Sequence, residues 1–306
     1  MAFNVESGNS ALRSRFYDKT IKNLAPRMYK FMQALVVEPT TAWKNFYWRE
    51  DPLVLSPNSG PSTRGLAPGA LFPHASQKYE QIQSIIDKYG LERSIVWEDI
   101  LINDLDMQAR TLYKIAEGVT KAVDDQIYTV LSDNTTSSNI YIWQTAGMPG
   151  VNQIAQYGAA GTGGGWNQSS AAIIDDLGAG VQLIAENNIE TTDLLLFCSP
   201  RAIRNIKKYI TDKGSQFTAF SDDIAKNGKV GKFAGVTLVE TNSVPASRAL
   251  LVKPKVCGSW KDLVPLQTTT IEDKFRAVTV RAVQEGVAQL HQPKAVVVYI
   301  GTDITQ

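Results

Sequence analysis

The sequence of 306 residues predicts an α+β fold, on three observations made along the chain. Residues 103–132 carry apolar side chains at alternating spacings of four and three, which predicts one long amphipathic helix. An extended, turn-rich segment precedes this helix, and short strand-like runs follow it towards the C-terminus. The apolar stripe of the helix consists of Leu105, Ala109, Leu112, Ala116, Val119, Val123, Ile127 and Val130. A helix more than twice the usual length of about 11 to 12 residues is typical of an extended structural element, not of a pocket wall.

Residues 1–42 form a predicted N-terminal arm. Up to residue 30 this segment carries six basic and two acidic residues, and we interpret the excess as a solvated helical face. Because a segment of this composition cannot bury a core of its own, we expect it to lie across something else.

Residues 43–92 are predicted to be an extended loop. Ala42–Trp48 is aromatic and strand-like, and Leu55–His74 is rich in proline, glycine and small polar residues, which excludes a regular helix or a central strand. Two further strand-like runs follow, Tyr79–Ile86 and Tyr89–Val96. The pattern predicts a long projecting hairpin with a flexible tip.

The C-terminal half alternates helix and strand, which predicts a compact α/β unit. Ser199 is the predicted cap of a helix that begins with Pro200. A glycine-rich surface loop is predicted at Gly158–Ser170, and Gly286 is expected to interrupt the β-run that begins at Val278. The other predicted elements are a helix over Ile173–Ile184 and strands over Leu194–Cys198, Val236–Glu240, Ala249–Val252, Val287–Leu290 and Ala295–Ile300.

Composition excludes several classes of protein. The formal net charge of +1 lacks the basic excess of a dedicated nucleic-acid-binding protein. No apolar run approaches the roughly 18 residues of a membrane span, and the N-terminus has no apolar stretch typical of a secretory signal. The two cysteines fit a reducing compartment, so we expect the cytoplasm.

Residues that could carry catalysis are few. His74 and His291 are the only histidines, which leaves few general bases or metal ligands. Cys198 is the best candidate nucleophile, because it ends a strand just before a helix, but a small buried structural residue is the simpler interpretation. Adjacent carboxylates such as Asp124 and Asp125 are expected on solvated faces. We therefore assign no catalytic, cofactor-binding or metal-binding residue.

Taken together, these segments resemble the major capsid protein of tailed bacteriophages, whose fold is also seen in encapsulin shells. Residues 89–100 resemble the segment that leads into the long spine helix of that family, and residues 103–132 resemble the spine helix itself. Residues 193–210 resemble a strand and helix of its axial domain, and residues 278–300 resemble its closing β-segment. The resemblance implies an arm at 1–42, an extended loop at 43–92, a peripheral domain at 93–145 and 272–306, and an axial domain at 146–271.

The function implied is a structural protein that assembles as hexamers and pentamers into an icosahedral shell around double-stranded DNA. Arm and loop are expected to dock on adjacent copies. The expected partners are other copies of the chain, separate scaffolding and portal proteins, and DNA bound by weak non-specific contact. Decoration proteins are a further option. We expect no membrane contact and no cofactor. The candidate inter-subunit contacts are Arg13, Arg15, Phe16, Arg64, Leu66, Leu71 and Phe72.

Three alternatives remain open from the sequence. An encapsulin-like compartment would enclose protein cargo in place of DNA. A cytosolic α/β hydrolase would use Cys198 as its nucleophile. A monomeric binding module would not assemble at all.

Overall fold

The computed structural model describes residues 19, 21, 29–50, 68–69, 79–96, 105–132, 152–155, 165–168, 171–212, 231–273 and 277–303. Within these ranges the helices are α1 (Leu105–Leu131), α2 (Ile173–Glu186) and α3 (Pro200–Asp212), with short 3₁₀ turns at Phe31–Ala34 and Pro293–Ala295. The strands are β1 (Val36–Pro39), β2 (Lys44–Glu50), β3 (Tyr79–Ile85), β4 (Asp87–Val96), β5 (Asn152–Ala155), β6 (Leu195–Cys198), β7 (Lys232–Phe233), β8 (Val236–Glu240), β9 (Arg248–Val252), β10 (Gly258–Asp273), β11 (Ala277–Leu290) and β12 (Val296–Ile300).

A four-stranded sheet in the order β1-β10-β11-β4 supports the long helix. The long hairpin β10–β11 is antiparallel, β4 pairs antiparallel with β11, and β1 pairs parallel with β10. Alternate residues of β11 are buried, as a half-buried strand requires. Val280 and Ala282 on this face share a core with Leu112, Ala116 and Val119 of α1.

The long helix α1 joins two hydrophobic cores. Its first half packs on the four-stranded sheet, whereas Val123, Ile127 and Val130 belong to the larger core around the six-stranded sheet. Every residue of the predicted apolar stripe from Leu112 onward is buried. The prediction of one long helix is therefore confirmed, with bounds of Leu105 and Leu131.

A six-stranded mixed sheet in the order β5-β12-β9-β6-β8-β7 forms the second layer. Helix α2 packs on β12 and β5, and helix α3 packs on β6. Tyr209 of α3 lies close enough to Asp175 and Asp176 of α2 for their charges to raise the pKa of its phenol, after the larger effect of burial. The two helices therefore lie side by side on one face of this sheet.

The structure corrects the expectation that Gly286 interrupts a strand. Strand β11 runs without a break from Ala277 to Leu290. A Cβ atom at Gly286 would overlap the buried indole ring of Trp260 on β10. The glycine lets the ring lie against the backbone, so it is required for packing and does not mark a turn.

Part of the predicted arm belongs to the core of its own subunit. The ring of Phe31 stacks on Phe197 with centroids 4.3 Å apart, and strand β1 completes the four-stranded sheet. Ala34 and Leu35 are buried in the same core. For residues 31–35, the expectation that the arm docks on adjacent copies is therefore wrong, because Phe31, Ala34 and Leu35 are buried within the chain, whereas Val36 and Val37 of β1 remain exposed.

The division into four domains stays a prediction, and sheet membership crosses its boundaries. Strand β12 lies between β5 and β9 in the six-stranded sheet, although the sequence placed residues 272–306 in the peripheral domain. Strand β10 lies in the four-stranded sheet, although most of it falls within the predicted axial segment.

Candidate inter-subunit surfaces

The two-stranded ribbon β2–β3 has one buried face and one exposed aromatic face. Its strands pair antiparallel, with Tyr47 opposite Ile82 and Trp48 opposite Gln81. Because side chains alternate across a strand, Tyr47 and Ile82 point to the inner face and are buried. Phe46 and Trp48 point outward, and 61% and 53% of their surfaces are exposed. Trp43, just before the ribbon, is also half exposed.

Polar contacts hold the inner face of the ribbon against the end of the long hairpin. The side-chain amide of Gln289 donates a hydrogen bond to the hydroxyl of Ser84 over 2.7 Å. His291 Nε2 lies 2.8 Å from the hydroxyl of Ser259, and its Nδ1 lies 3.3 Å from the carbonyl oxygen of Trp48. A neutral imidazole with its proton on Nδ1 satisfies both of these bonds. The ribbon is thus fixed at its base while its outer face stays open.

A groove of about 350 Å³ lies beside this base. Three exposed apolar side chains line it, Val36 of β1, Trp48 of β2 and Val256 of the turn before β10. Glu38 and Lys255 add one charge of each sign. The groove is continuous with the aromatic face, since Trp48 belongs to both.

The outer face of the four-stranded sheet carries charged side chains beside the apolar Leu91, Val264 and Val283. A shallow depression of about 470 Å³ crosses β4, β10 and β11 there. Its charges are paired between strands, with Lys88 3.3 Å from Glu285 and Arg281 2.6 Å from Glu92. Exposed pairs of this kind contribute at most about 1 kcal/mol each.

The seven predicted contact residues all lie outside the described residues and stay predictions. They are Arg13, Arg15, Phe16, Arg64, Leu66, Leu71 and Phe72. His74 also lies outside them. The base of the ribbon was not predicted from the sequence, although Ser84 and Gln289 are polar residues at positions whose alternation along the strand places them inward.

Asp124 differs from its expected place on a solvated face. Its side chain is buried, and its two carboxylate oxygens accept hydrogen bonds from the backbone N–H groups of Lys30 (2.8 Å) and Phe31 (3.2 Å). The carboxylate therefore acts as a cap for the 3₁₀ turn at Phe31–Ala34 and attaches this turn to helix α1.

Cys198 does not have the surroundings of a nucleophile. Its thiol is fully buried, and burial raises its pKa far above the usual value, so the reactive thiolate does not form at neutral pH. Burial likewise raises the pKa of Cys257 to about 12. Within the described part of the chain, no group of three His, Cys, Asp or Glu residues is placed to hold a metal ion. None of the described helices is long and apolar enough to cross a membrane.

Comparison with known proteins identifies the fold. The capsid of the cyanophage P-SCSP1u matches with a TM-score of 0.63 and 14% sequence identity, over 89% of this chain and 88% of that chain. The mature capsid of bacteriophage PhiM1 matches with a TM-score of 0.60 and 15% identity, over 90% and 88%. A virus-like particle from Pyrococcus furiosus matches with a TM-score of 0.55 and 9% identity, over 94% and 99%. No curated protein matches the chain.

Together these features define a shell-forming capsid protein with the fold of tailed-phage major capsid proteins. The features are the long helix packed on the four-stranded sheet, the six-stranded sheet and the anchored ribbon. The sequence agrees with this class, since residues 79–299 match the family described as phage capsid protein. The chain belongs to the phage capsid protein family. The resemblance stated from the sequence is therefore confirmed.

Proposed function

We propose that the protein assembles as hexamers and pentamers into an icosahedral shell that encloses double-stranded DNA. The observation that carries this proposal is the ribbon β2–β3, which is anchored on its inner face and exposes Phe46 and Trp48 on the other. Removing apolar surface from water stabilises a contact by about 25 cal/mol per Å², and aromatic rings are the largest such groups. A rigidly held aromatic face therefore favours docking on a second copy.

The expected contacts are heterologous, because the aromatic face of one copy meets a different surface of the next. Contacts of this kind close into rings when the rotation between copies permits it. Each contact is modest, and the shell becomes stable when several copies reinforce one another.

The near-neutral net charge of the chain suits a shell that surrounds DNA without binding it tightly. Affinity for phosphates rises with the number of cations presented, and the chain has only one more basic than acidic residue. We infer that assembly takes place in the cytoplasm of a host cell, with separate scaffolding and portal proteins and with decoration proteins as a further option. We assign the protein a structural role and no enzymatic activity.

Electron microscopy and sedimentation of the purified full chain test the proposal, in samples taken with and without nuclease treatment. Closed particles with icosahedral symmetry are the expected product. Nuclease-protected double-stranded DNA in particles from infected cells supports the role in packaging, and particles that contain only protein cargo support a compartment instead. A chain that stays monomeric at high concentration, alone and with scaffolding protein, contradicts the proposal.

A further inference from the structure

Helices α2 and α3 lie side by side on one sheet and present faces of opposite charge. On α2 the solvent-facing positions Asp175, Gly178, Ala179, Gln182 and Glu186 follow spacings of three, one, three and four. All five are exposed, and they share one side of the helix because 3.6 residues complete a turn. This acidic face has two carboxylates and no basic residue.

Helix α3 repeats the same spacing with basic residues. Its corresponding positions are Arg201, Arg204, Asn205, Lys208 and Asp212, and all but the half-buried Asn205 are exposed. The opposite side, which includes Ile203 and Ile206, is buried in the core. The basic face therefore carries three cations and one carboxylate at its end.

Most of these charges form no ion pair with another described residue. Arg201 pairs with Asp303 at 3.0 Å, whereas Arg204 and Lys208 form no ion pair among the described residues. On the acidic face, Glu186 accepts a hydrogen bond from Gln182, and Asp175 forms no ion pair with a described residue. The two faces are thus complementary to each other but are not joined within one copy.

Gly178 lies in the middle of the acidic face, where the helix carries no long side chain. Glycine in the interior of an exposed helix lowers helix stability relative to alanine. Within its own chain, a Cβ atom at Gly178 would meet no atom within 4 Å, so packing does not require the glycine. By contrast, Gly180 on the buried side is required, since a Cβ there would overlap the hydroxyl of Tyr299. Gly178 and Ala179 together leave a smooth surface between Asp175 and Glu186.

We infer that the basic face of α3 on one copy binds the acidic face of α2 on the next copy. The inference rests on the proposed assembly and specifies one contact within it. Faces of opposite sign attract each other, whereas two basic or two acidic faces repel.

Charge exchange tests this contact. The first variant, Arg204→Glu with Lys208→Glu, reverses the basic face, and the second, Asp175→Lys with Glu186→Lys, reverses the acidic face. Each reversal should lower the yield of closed particles by about tenfold or more at low ionic strength. A chain that carries all four substitutions restores attraction in every heterologous contact, so its yield should return to within about threefold of the wild type.

Two controls separate this contact from folding and from net charge. Arg110→Glu with Lys121→Glu changes the charge equally on exposed positions of α1 and should leave the yield unchanged. Gly178→Tyr should block the contact without altering charge, whereas Gly178→Ala should preserve it, and circular dichroism should show that both variants are folded.

The outcomes are distinguishable. If the wild type forms particles but the chain with all four substitutions does not recover its yield, the contact is overturned and the proposed function stands. An equal loss of particle yield in the α1 control has the same meaning. Normal particle numbers with a loss of nucleic acid in the first variant would assign the basic face to DNA and likewise overturn the contact. A wild type that forms no particles overturns the proposed function, and the contact with it.

Discussion

The buried amide of Gln289 donates a hydrogen bond of 2.7 Å to the buried hydroxyl of Ser84, and this bond joins the ribbon to the long β-hairpin. We predict that Ser84→Ala lowers the free energy of unfolding by about 1–3 kcal/mol, because the amide of Gln289 is left without its acceptor in the interior. Urea unfolding measures this change. The exposed Ser94→Ala, whose hydroxyl also bonds to a neighbouring side chain, should cost less than about 0.5 kcal/mol.

A double variant isolates the bond itself. In Ser84→Ala with Gln289→Leu both partners are apolar, so no buried donor remains unsatisfied and part of the lost stability should return. If the single and double variants are equally unstable, the bond does not hold the ribbon in place.

Phe31 provides the test of where the N-terminal segment belongs. Its ring is fully buried and stacks on Phe197, so Phe31→Ala should lower the free energy of unfolding of the isolated subunit by about 3–5 kcal/mol. Val37 lies in the same segment with half its surface exposed, and Val37→Ala should change stability by less than about 0.5 kcal/mol. If both variants lower the free energy of unfolding by the same small amount, residues 31–39 do not pack on their own subunit and instead contact a neighbouring copy.

Most elements could be predicted from the sequence because their signals are local. The Ser199 cap is confirmed, since its hydroxyl accepts a hydrogen bond from the backbone N–H of Ala202 over 3.2 Å. The run Val236–Glu240 is a strand with the predicted bounds. Periodicity and caps depend on neighbours within one or two turns, and the sequence contains that information.

The errors concern contacts between distant residues. Asp124 is buried because of Lys30 and Phe31, more than ninety positions away. Gly286 has its role because of Trp260 on the paired strand. No local pattern distinguishes a buried carboxylate from a solvated one, or a packing glycine from a strand break. The candidate surfaces were harder still to predict from the sequence, because the exposure of Phe46 and Trp48 depends on which face of the ribbon packs on the hairpin.

Asp124 should make the stability of the subunit depend on pH. Burial raises its pKa from the ordinary value of 3.8 to about 7, although Lys30 and its backbone N–H favour the ionised form and Asp125 opposes it. The folded protein keeps the proton up to about pH 7, whereas the unfolded chain releases it near pH 3.8. The free energy of unfolding should therefore fall as pH rises through this window, by about 1.4 kcal/mol for each unit of pKa difference.

Asp124→Asn removes this proton equilibrium. Urea unfolding of soluble wild-type and variant subunits, from about pH 4 to about pH 8, should show a stability difference that changes steadily across the window and is constant above it. The amide of asparagine accepts only one of the two backbone N–H bonds, so the variant should be the less stable protein at the acidic end. A pH-independent difference would show that Asp124 is ionised throughout.

The aromatic face of the ribbon should affect assembly more than folding. Phe46→Gln with Trp48→Gln removes two rings that expose 61% and 53% of their surfaces, so the free energy of unfolding of the subunit should fall by less than the roughly 3–5 kcal/mol expected when a fully buried ring is removed. A buried aromatic anchor of an interface typically contributes about 2 kcal/mol or more. The subunit concentration at which half the protein sediments as particles should therefore rise by at least about 30-fold.

Tyr47, between these two residues on the strand, is the matched contrast. Its ring is buried on the inner face and lies edge-on to His291, with centroids 5.3 Å apart. Tyr47→Gln should lower the stability of the subunit more than either exposed substitution does alone, since it removes a packed ring. If the double variant at Phe46 and Trp48 assembles at the wild-type concentration, this face does not contact a second copy, because burial of both rings in an interface requires a measurable loss.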